Sequence, residues 1–229
     1  MILAGHQPEY LPYIGYFYKI AKCDAFILVD HIQYAKKDFQ NRNYIKSSSG
    51  PLLLTVPVKT SDKFEQKIYE VMIDERLPWR RKHLGSIINC YQKSPYYKEH
   101  IGFFKDLYSR NWTNLLDLNV EIIDYVSEQL HIKKKWLYSS EYNFEKNKDE
   151  LLIEMCKKLN FDTYLSGQGG KNYVNDRKFE ASDLKHIYTD FQHPTYPQQF
   201  GEFKPYMSTI DLLFNMGERS KDILIAPHK

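Results

Sequence analysis

A continuous apolar run near the start of the chain, residues 25–29 (AFILV), most constrains the fold. Such a run, with no polar alternation, is typical of a strand covered on both faces. An earlier strand is predicted at residues 2–5, and Pro12 suits the first turn of a helix that reaches about Lys22. Strand, helix and strand within the first 30 residues predict a βαβ opening of an α/β fold.

The remaining pattern predicts extended segments on both sides of a helical block. The extended segments are expected at residues 41–46, 52–58, 67–73, 162–165 and 186–190. Helices are expected at residues 78–92, 96–109, 148–159 and 209–216, with another one capped by Thr113. We therefore expect one α/β domain over residues 1–229, with a mixed sheet and a mainly helical segment at residues 78–160.

Composition argues against nucleic-acid binding and in favour of a small-molecule cleft. The formal net charge is only +3, and its densest basic runs, residues 80–82 and 133–135, are explained as solvated helix ends. The 19 tyrosines exceed what a core requires, because each buried hydroxyl needs a partner. An excess of tyrosine suits a cleft that stacks on sugars or bases, so we expect a small-molecule substrate and no DNA.

The cysteines and the N-terminal residues favour a cytoplasmic protein. Cys23, Cys90 and Cys156 are odd in number and widely spaced, which predicts reduced thiols and neither a disulfide framework nor a zinc site. Cys156 falls on an apolar helical stripe and is interpreted as core packing. We expect no signal peptide and no membrane insertion, since no stretch has the roughly 18 apolar residues that a span needs.

The loop after the first predicted strand is the first candidate for chemistry. His6 lies where open α/β sheets place ligands, and Pro8 and Pro12 stiffen its loop. With an ordinary pKa near 6.5, an imidazole exchanges a proton at neutral pH. Gln7 and Tyr10 share this loop and are candidate substrate-binding residues. The alternative is a turn held by a structural histidine.

Polar residues also follow the second predicted strand and begin the third. Arg42 carries a donor fork suited to a phosphate or carboxylate. In an extended segment its side chain faces away from those of its neighbours, so one of these groups is structural. The candidate binding residues here are Asp30, Gln33, Asn41, Arg42 and Asn43.

Two further candidates lie on the predicted helix at residues 78–92. Trp79 and His83 are spaced i and i+4, and therefore share one helix face. Their rings are interpreted either as a wall for a sugar or base or as the packed start of a helix.

A glycine-rich turn follows the strand predicted at residues 162–165. Its candidate residues are Ser166, Gly167, Gly169, Gly170 and Tyr173. Backbone N–H groups in such a turn can approach an anion closely. The turn lacks the Gly-Lys-Ser/Thr ending of a Walker A loop and the dinucleotide fingerprint. Without a Gly-x-Ser-x-Gly elbow, a nucleophilic role for Ser166 is not expected.

The last polar block lies between the final predicted strand and the final predicted helix. His193, Tyr196 and Gln198 stand among prolines in a loop and are functional candidates. Ser208 fits a helix N-cap with Asp211 three residues on, so both are interpreted as structural.

Together these motifs resemble the WbqC-like family over almost the whole chain. The resemblance rests on the ordered blocks His6-Gln7-Pro8-x-Tyr10-x-Pro12, Asn41-Arg42-Asn43, Trp79-x-x-x-His83, Tyr164-Leu165-Ser166-Gly167-x-Gly169-Gly170 and His193-x-x-Tyr196-x-Gln198. Phe39 departs from the family, which often has a tryptophan there. Members are encoded in bacterial O-antigen and other surface-polysaccharide gene clusters.

The resemblance implies a transferase that modifies a nucleotide-linked amino sugar by N-acyl or aminoacyl transfer. His6 or His193 would take the proton from the attacking amine, and the backbone N–H groups of residues 167–170 would stabilise the oxyanion. Arg42 and Lys46 would bind the sugar diphosphate. The donor expected is an acyl or aminoacyl thioester, free or on a carrier protein, with no tightly bound cofactor and no metal.

Two other functions remain compatible with the sequence. One is a metal-independent glycosyltransferase, since the metal-binding Asp-x-Asp motif is absent. The other is a non-catalytic assembly factor of the polysaccharide machinery, which would leave the histidines without a reaction.

Overall fold

The structure is a computed structural model that describes residues 1–61, 65–172 and 174–226. The strands are β1 (Ile2–His6), β2 (Ala25–Leu28), β3 (Arg42–Ser47), β4 (Gly50–Thr55), β5 (Trp136–Tyr138), β6 (Thr163–Ser166) and β7 (Lys185–Tyr188). The helices are α1 (Ile14–Ala21), α2 (Trp79–Tyr91), α3 (Tyr97–Ser109), α4 (Leu115–Gln129), α5 (Lys148–Lys158), α6 (Asp176–Glu180), α7 (Thr209–Met216) and α8 (Ser220–Ile225). Short 3₁₀ turns include Ile68–Glu70 and Gln168–Asn172.

Five strands form a parallel sheet in the order β5-β2-β1-β6-β7. From β1 the chain builds outward on one side through β2 and β5, and later on the other side through β6 and β7. The direction of winding therefore reverses between β1 and β6. In open α/β sheets a crevice forms at this point, beyond the carboxyl ends of the strands.

The residues of β2 are all apolar because both faces of the sheet are covered. Phe26 and Leu28 pack into a large core on one face, whereas Ile27 and Val29 pack into a second core on the other. Successive side chains of a strand point to opposite faces, so a doubly covered strand has no position for a polar residue.

The antiparallel pairing lies outside this sheet. Strands β3 and β4 form a separate two-stranded hairpin, with Arg42 opposite Thr55 and Ser47 opposite Gly50. Ile45 and Leu54 of the hairpin are buried in the larger core. The hairpin, α2, α3, α4 and α7 thus enlarge one side of the sheet.

The predicted α/β class is confirmed, including the βαβ opening and the helical block in the middle of the chain. The strand predicted at residues 67–73 is wrong: the structure has the 3₁₀ turn Ile68–Glu70, followed by single bridges at Met72 and Ile73. The Glu70 carboxylate accepts the Lys67 N–H at 2.8 Å, and this local bond closes a turn instead of a ladder.

Two helix caps show how local chemistry sets the helix ends. Ser208 caps α7 as expected, its side chain accepting from the Ile210 N–H. The α4 helix is capped by Asn114 in place of the expected Thr113, since the Asn114 side chain accepts the Leu116 N–H at 2.7 Å. Both residue types are good caps, so sequence alone does not choose between neighbours.

The three cysteines are buried and unpaired. Burial raises the pKa of the Cys23 and Cys90 thiols to about 11 and that of Cys156 to about 12. All three are therefore thiols at neutral pH, a form that is a poor nucleophile. Within the described ranges, no helix is both long and apolar enough to cross a membrane.

Candidate functional site

A cleft of about 1210 Å³ opens at the reversal point of the sheet, large enough for a sugar nucleotide. It is lined by the end of β1, the loop after it, one side of α1, the start of α5, the end of β6 with its glycine turn, and the loop after β7. The fold thus places strand ends and a helix start around one space.

Three ionisable side chains, His6, Glu9 and Lys19, form the floor of the cleft. His6 Nδ1 lies 3.5 Å from Glu9 Oε1 and 3.2 Å from the Gln7 carbonyl oxygen. Lys19 reaches back from α1 and donates to the Gly5 carbonyl at 3.0 Å. Glu9 and Lys19 are 8% and 6% exposed, so both charges are largely removed from water.

Burial moves the pKa values of all three groups toward their uncharged forms. It raises the pKa of Glu9 to about 8, against the attraction of Lys19, and lowers the pKa of Lys19 to about 8. Burial, followed by repulsion from the Lys19 ammonium, also holds the pKa of His6 below its usual 6.5. Clusters of displaced pKa values in a cleft mark functional sites more often than structural ones.

His6 is therefore a neutral imidazole at pH 7. With Nδ1–H directed at the Gln7 carbonyl, Nε2 is the unprotonated nitrogen. Its side chain is 38% exposed, and the ring lies edge-on to Tyr16 with centroids 5.1 Å apart. The Tyr16 hydroxyl is buried without a hydrogen-bond partner in the described part of the chain, although Tyr16 lines the cleft.

Aromatic rings form one wall of the cleft. Tyr13 lies against Phe191 and Tyr206, with ring centroids 6.1 and 6.3 Å apart. His193 contacts the same two rings at 5.9 and 5.2 Å. Tyr206 is 62% exposed, so this wall offers an open aromatic face for stacking.

The glycine turn forms the opposite wall. Ser166 closes β6, and Gly170 packs directly over it: a Cβ on Gly170 would lie 2.9 Å from the Ser166 Cβ. The Gly170 N–H donates to the Gly167 carbonyl at 2.9 Å and is not available to an oxyanion. Within the described ranges, the N–H groups of Gly167 and Gly169 make no hydrogen bond.

Eight of the residues chosen from sequence line this cleft. They are His6, Gln7, Gln33, Ser166, Gly167, Gly169, Gly170 and His193. His193 uses both ring nitrogens within its own loop: Nδ1 lies 2.9 Å from the Pro194 carbonyl oxygen, and Nε2 accepts the Tyr206 N–H at 3.0 Å. Its ring therefore fixes the aromatic wall and has no free nitrogen to accept a proton.

The other candidates lie elsewhere. Tyr10, Trp79 and His83 form a buried cluster, with the Tyr10 hydroxyl 2.7 Å from His83 Nδ1. Asn41 and Asn43 are buried and donate to the Val56 and Leu11 carbonyls at 2.7 and 2.9 Å. These five residues are buried and do not line the cleft.

A second buried cluster gathers around Asp211. The Asp211 carboxylate accepts hydrogen bonds from Tyr91, Tyr196 and Gln198 at 2.8–3.0 Å. Lys46 is 1% exposed and donates to the Glu202 carbonyl. Since this cluster does not line the cleft, Tyr196, Gln198 and Lys46 are separated from His6.

Three candidates remain. Arg42 is half-buried at the base of the hairpin, with Nε 3.4 Å from the Asp38 carbonyl oxygen, and does not line the cleft. Asp30 is 1% exposed and is bound by Ser139 and Ser140, as discussed below. Tyr173 lies outside the described residues.

Sequence reasoning missed Glu9 and Lys19. Glu9 stood inside the motif that was singled out, but a lone acidic residue in a loop is usually solvated. Lys19 falls on the apolar side of α1 between Tyr18 and Ile20, both buried. The signal in the sequence was a lysine among the apolar residues of a predicted helix. Such a lysine suggests a site, because lysine is almost never buried without a partner.

No group of three or more histidine, cysteine, aspartate or glutamate side chains in the described ranges is arranged to hold a metal ion. The donor set of the floor is one imidazole, one carboxylate and one ammonium. Such a set can bind and exchange protons on a polar ligand, and the ammonium disfavours a cation beside it.

Comparison with known proteins supports the family resemblance seen in the sequence motifs. No solved structure matches the chain. The chain is 34% identical to the uncharacterized protein Rv1507c of Mycobacterium tuberculosis over 220 residues, which cover 95% of each chain. The family model of the WbqC-like protein family matches residues 7–223. On both grounds, the chain belongs to the WbqC-like protein family.

Proposed function

We propose that this protein transfers an acyl or aminoacyl group to the amine of a nucleotide-linked sugar, for bacterial surface-polysaccharide biosynthesis. The observation that carries the proposal is the floor of the cleft, where the buried Glu9 and Lys19 lie beside the partly exposed His6 and all three have displaced pKa values. Family membership supports the polysaccharide context, and the residues of the cleft support the reaction.

The amine of an amino sugar must lose a proton as it attacks an acyl carbon. Glu9, whose pKa is raised to about 8, exchanges a proton near neutral pH and suits this task better than an ordinary carboxylate. His6 Nε2 is an acceptor beside it, and its depressed pKa favours holding the amine by a hydrogen bond over storing its proton. Of the two histidines considered as base, His6 is the one with a free nitrogen.

Recognition of the nucleotide follows from the walls of the cleft. The open face of Tyr206, supported by Tyr13 and His193, provides a stacking platform for a base. Lys148 at the start of α5 lines the cleft and is exposed, so its ammonium is placed to meet a diphosphate. In this proposal Lys148 and Lys19 bind the diphosphate, a role that the sequence assigned to Arg42 and Lys46, which do not line the cleft.

A ligand screen tests the substrate class. Thermal unfolding is measured with UDP-, dTDP- and GDP-linked amino sugars and with the matching neutral sugars. A specific nucleotide sugar at a hundredfold over its dissociation constant stabilises the fold by about 2.7 kcal/mol, which raises the melting temperature. Equal, negligible shifts for all compounds would remove the nucleotide-sugar proposal.

A transfer assay tests the reaction. The stabilising sugar is incubated with acyl and aminoacyl thioesters, and the amide product is followed by mass spectrometry. Glu9→Gln and His6→Ala should each lower turnover by about 10² to 10⁴, the usual contribution of a proton-transfer group. His131→Ala is the matched control, since His131 is an exposed histidine beside Glu218, 3.4 Å away. Product formed equally by all variants would exclude the floor from the mechanism.

A further inference from the structure

Behind the glycine wall, three side chains form a linear hydrogen-bonded series. Ser166 Oγ lies 2.7 Å from His186 Nε2, and His186 Nδ1 lies 2.6 Å from Asp176 Oδ1. The three come from different elements: the end of β6, strand β7 and the first turn of α6. Ser166 pairs with Tyr188 in the register of β6 and β7, and this pairing brings Ser166 close to His186 on β7.

The order of donors in this series is fixed by the aspartate. A carboxylate only accepts, so His186 Nδ1 carries the ring proton and donates it to Asp176. In the imidazole form of the ring, Nε2 is then the nitrogen that accepts the Ser166 hydroxyl proton. The Tyr188 hydroxyl also donates to Asp176 Oδ1 at 2.9 Å, and these two bonds hold the pKa of Asp176 below its usual value.

The histidine is held firmly, and the serine, which is 5% exposed, borders the cleft. The His186 side chain is 1% exposed and stacks on Phe179 at 4.4 Å and 12°. Ser166 lines the same cleft as His6 and Glu9. A serine hydroxyl, a histidine base and an aspartate that orients the base, in that order, are the parts of an activated serine nucleophile.

We propose that Ser166 is a nucleophile, activated by His186 and Asp176, that carries the acyl group as an ester during transfer. The donor is an acyl or aminoacyl thioester. This inference deepens the proposed function and rests on it for the identity of the acceptor. It departs from the expectation that Ser166 is no nucleophile: the absent Gly-x-Ser-x-Gly elbow excludes one way of presenting a serine, and the proposal rests on another, at the end of β6.

The two half-reactions balance in atoms and charge. Ser166 Oγ attacks the thioester carbonyl carbon while His186 Nε2 takes the hydroxyl proton. The C–S bond breaks, the thiolate leaves with that proton as a thiol, and the acyl group remains on Ser166. Glu9 first takes the proton of the sugar ammonium, and the free amine then attacks the ester carbonyl and loses a further proton to His186. The Ser166 oxygen departs with this proton, leaving an amide and the free serine.

The glycine turn carries backbone N–H groups directly after Ser166. Gly167 directly follows the nucleophile, and its N–H is among those without a partner within the described ranges. Donors of this kind stabilise the oxyanion of the tetrahedral intermediate. They support the proposal, which is carried by the Ser166–His186–Asp176 geometry.

A serine-directed fluorophosphonate probe tests the nucleophile without knowledge of the substrate. The probe forms a Ser O–P bond and releases fluoride, and the adduct is located by peptide mass spectrometry. We expect one adduct, on Ser166, with none in Ser166→Ala and labelling slower by about 10² to 10⁴ in Asp176→Asn. Ser139→Ala is the matched control, because Ser139 is the other serine that contacts both a histidine and an aspartate.

The outcomes separate this inference from the proposed function. Labelling of Ser166 that depends on Asp176 supports the nucleophile even where no amino sugar is acylated, in which case only the acceptor is misassigned. Amide formation that persists in a folded Ser166→Ala protein overturns the covalent step while the transferase proposal stands. Absence of labelling in the wild-type protein, or equal labelling in Ser166→Ala, also overturns the inference.

Discussion

Within the described residues, two Ser–His–Asp clusters lie at the parallel sheet, and they differ in the order of their hydrogen bonds. In the cluster of Ser166, the histidine lies between the serine and the aspartate. In the cluster of Ser139, the serine lies in the middle: its hydroxyl donates to Asp30 Oδ1 at 2.9 Å, and its Oγ lies 2.6 Å from His31 Nδ1.

The order decides which serine is activated. Ser139 gives its proton to a carboxylate and accepts the N–H groups of Asp30 and His31 at 2.9 and 3.3 Å. Its oxygen is occupied by donors and is completely buried, so it serves as a joint between β2 and β5. Ser166 gives its proton to an imidazole and lines the cleft. The same three residue types thus produce a structural joint in one place and a candidate nucleophile in the other.

The largest expected effect separates the two serines by activity. Ser166→Ala should lower acyl transfer by about 10⁴ to 10⁶, the range found when a nucleophile of this kind is removed. Its free energy of unfolding should fall by no more than about 1–3 kcal/mol, because the buried His186 ring loses a donor. Ser139→Ala should leave turnover per folded molecule unchanged and lower the free energy of unfolding by about 1–3 kcal/mol, because Asp30 loses a buried donor. Steady-state kinetics and chemical denaturation measure the two quantities. A reversed pattern would exchange the roles of the clusters.

The next effect separates the two aspartates. Asp176→Asn keeps the shape but no longer fixes the tautomer of His186, so turnover should fall by about 10² to 10⁴ with the fold intact. The Asp176 side chain is 55% exposed, which makes a loss of stability small. Asp30→Asn should cost about 1–3 kcal/mol of stability, since Ser139, the Ser140 N–H and the Ser140 hydroxyl all donate to that carboxylate. Equal activity in Asp176→Asn and wild type would make its cluster structural as well.

The ionisable groups on the floor of the cleft form a third cluster, and this cluster is tested by the pH dependence of stability. The folded-state pKa of Glu9 is raised from 4.5 to about 8, so its contribution to stability is full below pH 4.5 and is lost as the pH rises to about 8. Lys19, whose pKa is lowered from 10.5 to about 8, acts in the opposite sense above pH 8. Unfolding free energies at pH 5, 6.5 and 8 should therefore fall more steeply in wild type than in Glu9→Gln.

The slopes of unfolding free energy against pH in wild type and in Glu9→Gln differ by at most about 1.4 kcal/mol per pH unit, which is the value for one proton. The attraction between Glu9 and Lys19 reduces it, so the measured difference in slope should be smaller. Parallel pH profiles for wild type and Glu9→Gln would show that the Glu9 carboxyl is not held in its protonated form by the fold. Chemical denaturation with buffers of constant ionic strength gives the profiles.

The sequence predicted the fold class because its signals were local. The apolar run at β2, the caps and the helical stripes each depend on neighbouring residues, and they placed β1, β2 and most helices within a few positions of their observed bounds. The segment between β4 and α2 was different. There Glu70 closes a turn by a bond to its own backbone neighbour, and alternation of apolar residues does not reveal such a bond.

The cleft was harder to predict because its chemistry depends on residues distant in sequence. Ser166 and His186 are 20 residues apart and meet only because β6 and β7 pair in a particular register. The hydroxyl of Tyr196 looks like a site group in sequence, yet it donates to the Asp211 carboxylate in the core. Whether a polar residue is functional or structural is decided by its partner, and one sequence does not show the partner.

The smallest expected effect concerns two adjacent glycines and tests how closely Ser166 is held. A Cβ on Gly170 would lie 2.9 Å from the Ser166 Cβ and 3.2 Å from its Oγ, whereas a Cβ on Gly169 meets nothing within 4 Å. Neither glycine has a positive φ, so alanine is not strained by the backbone at either position. Gly170→Ala should displace the serine from His186 and slow fluorophosphonate labelling by up to about 10²-fold, the usual effect of a misplacement near 1 Å. Gly169→Ala should label at the wild-type rate, and equal rates for both variants would show that Ser166 needs no support from the glycine turn.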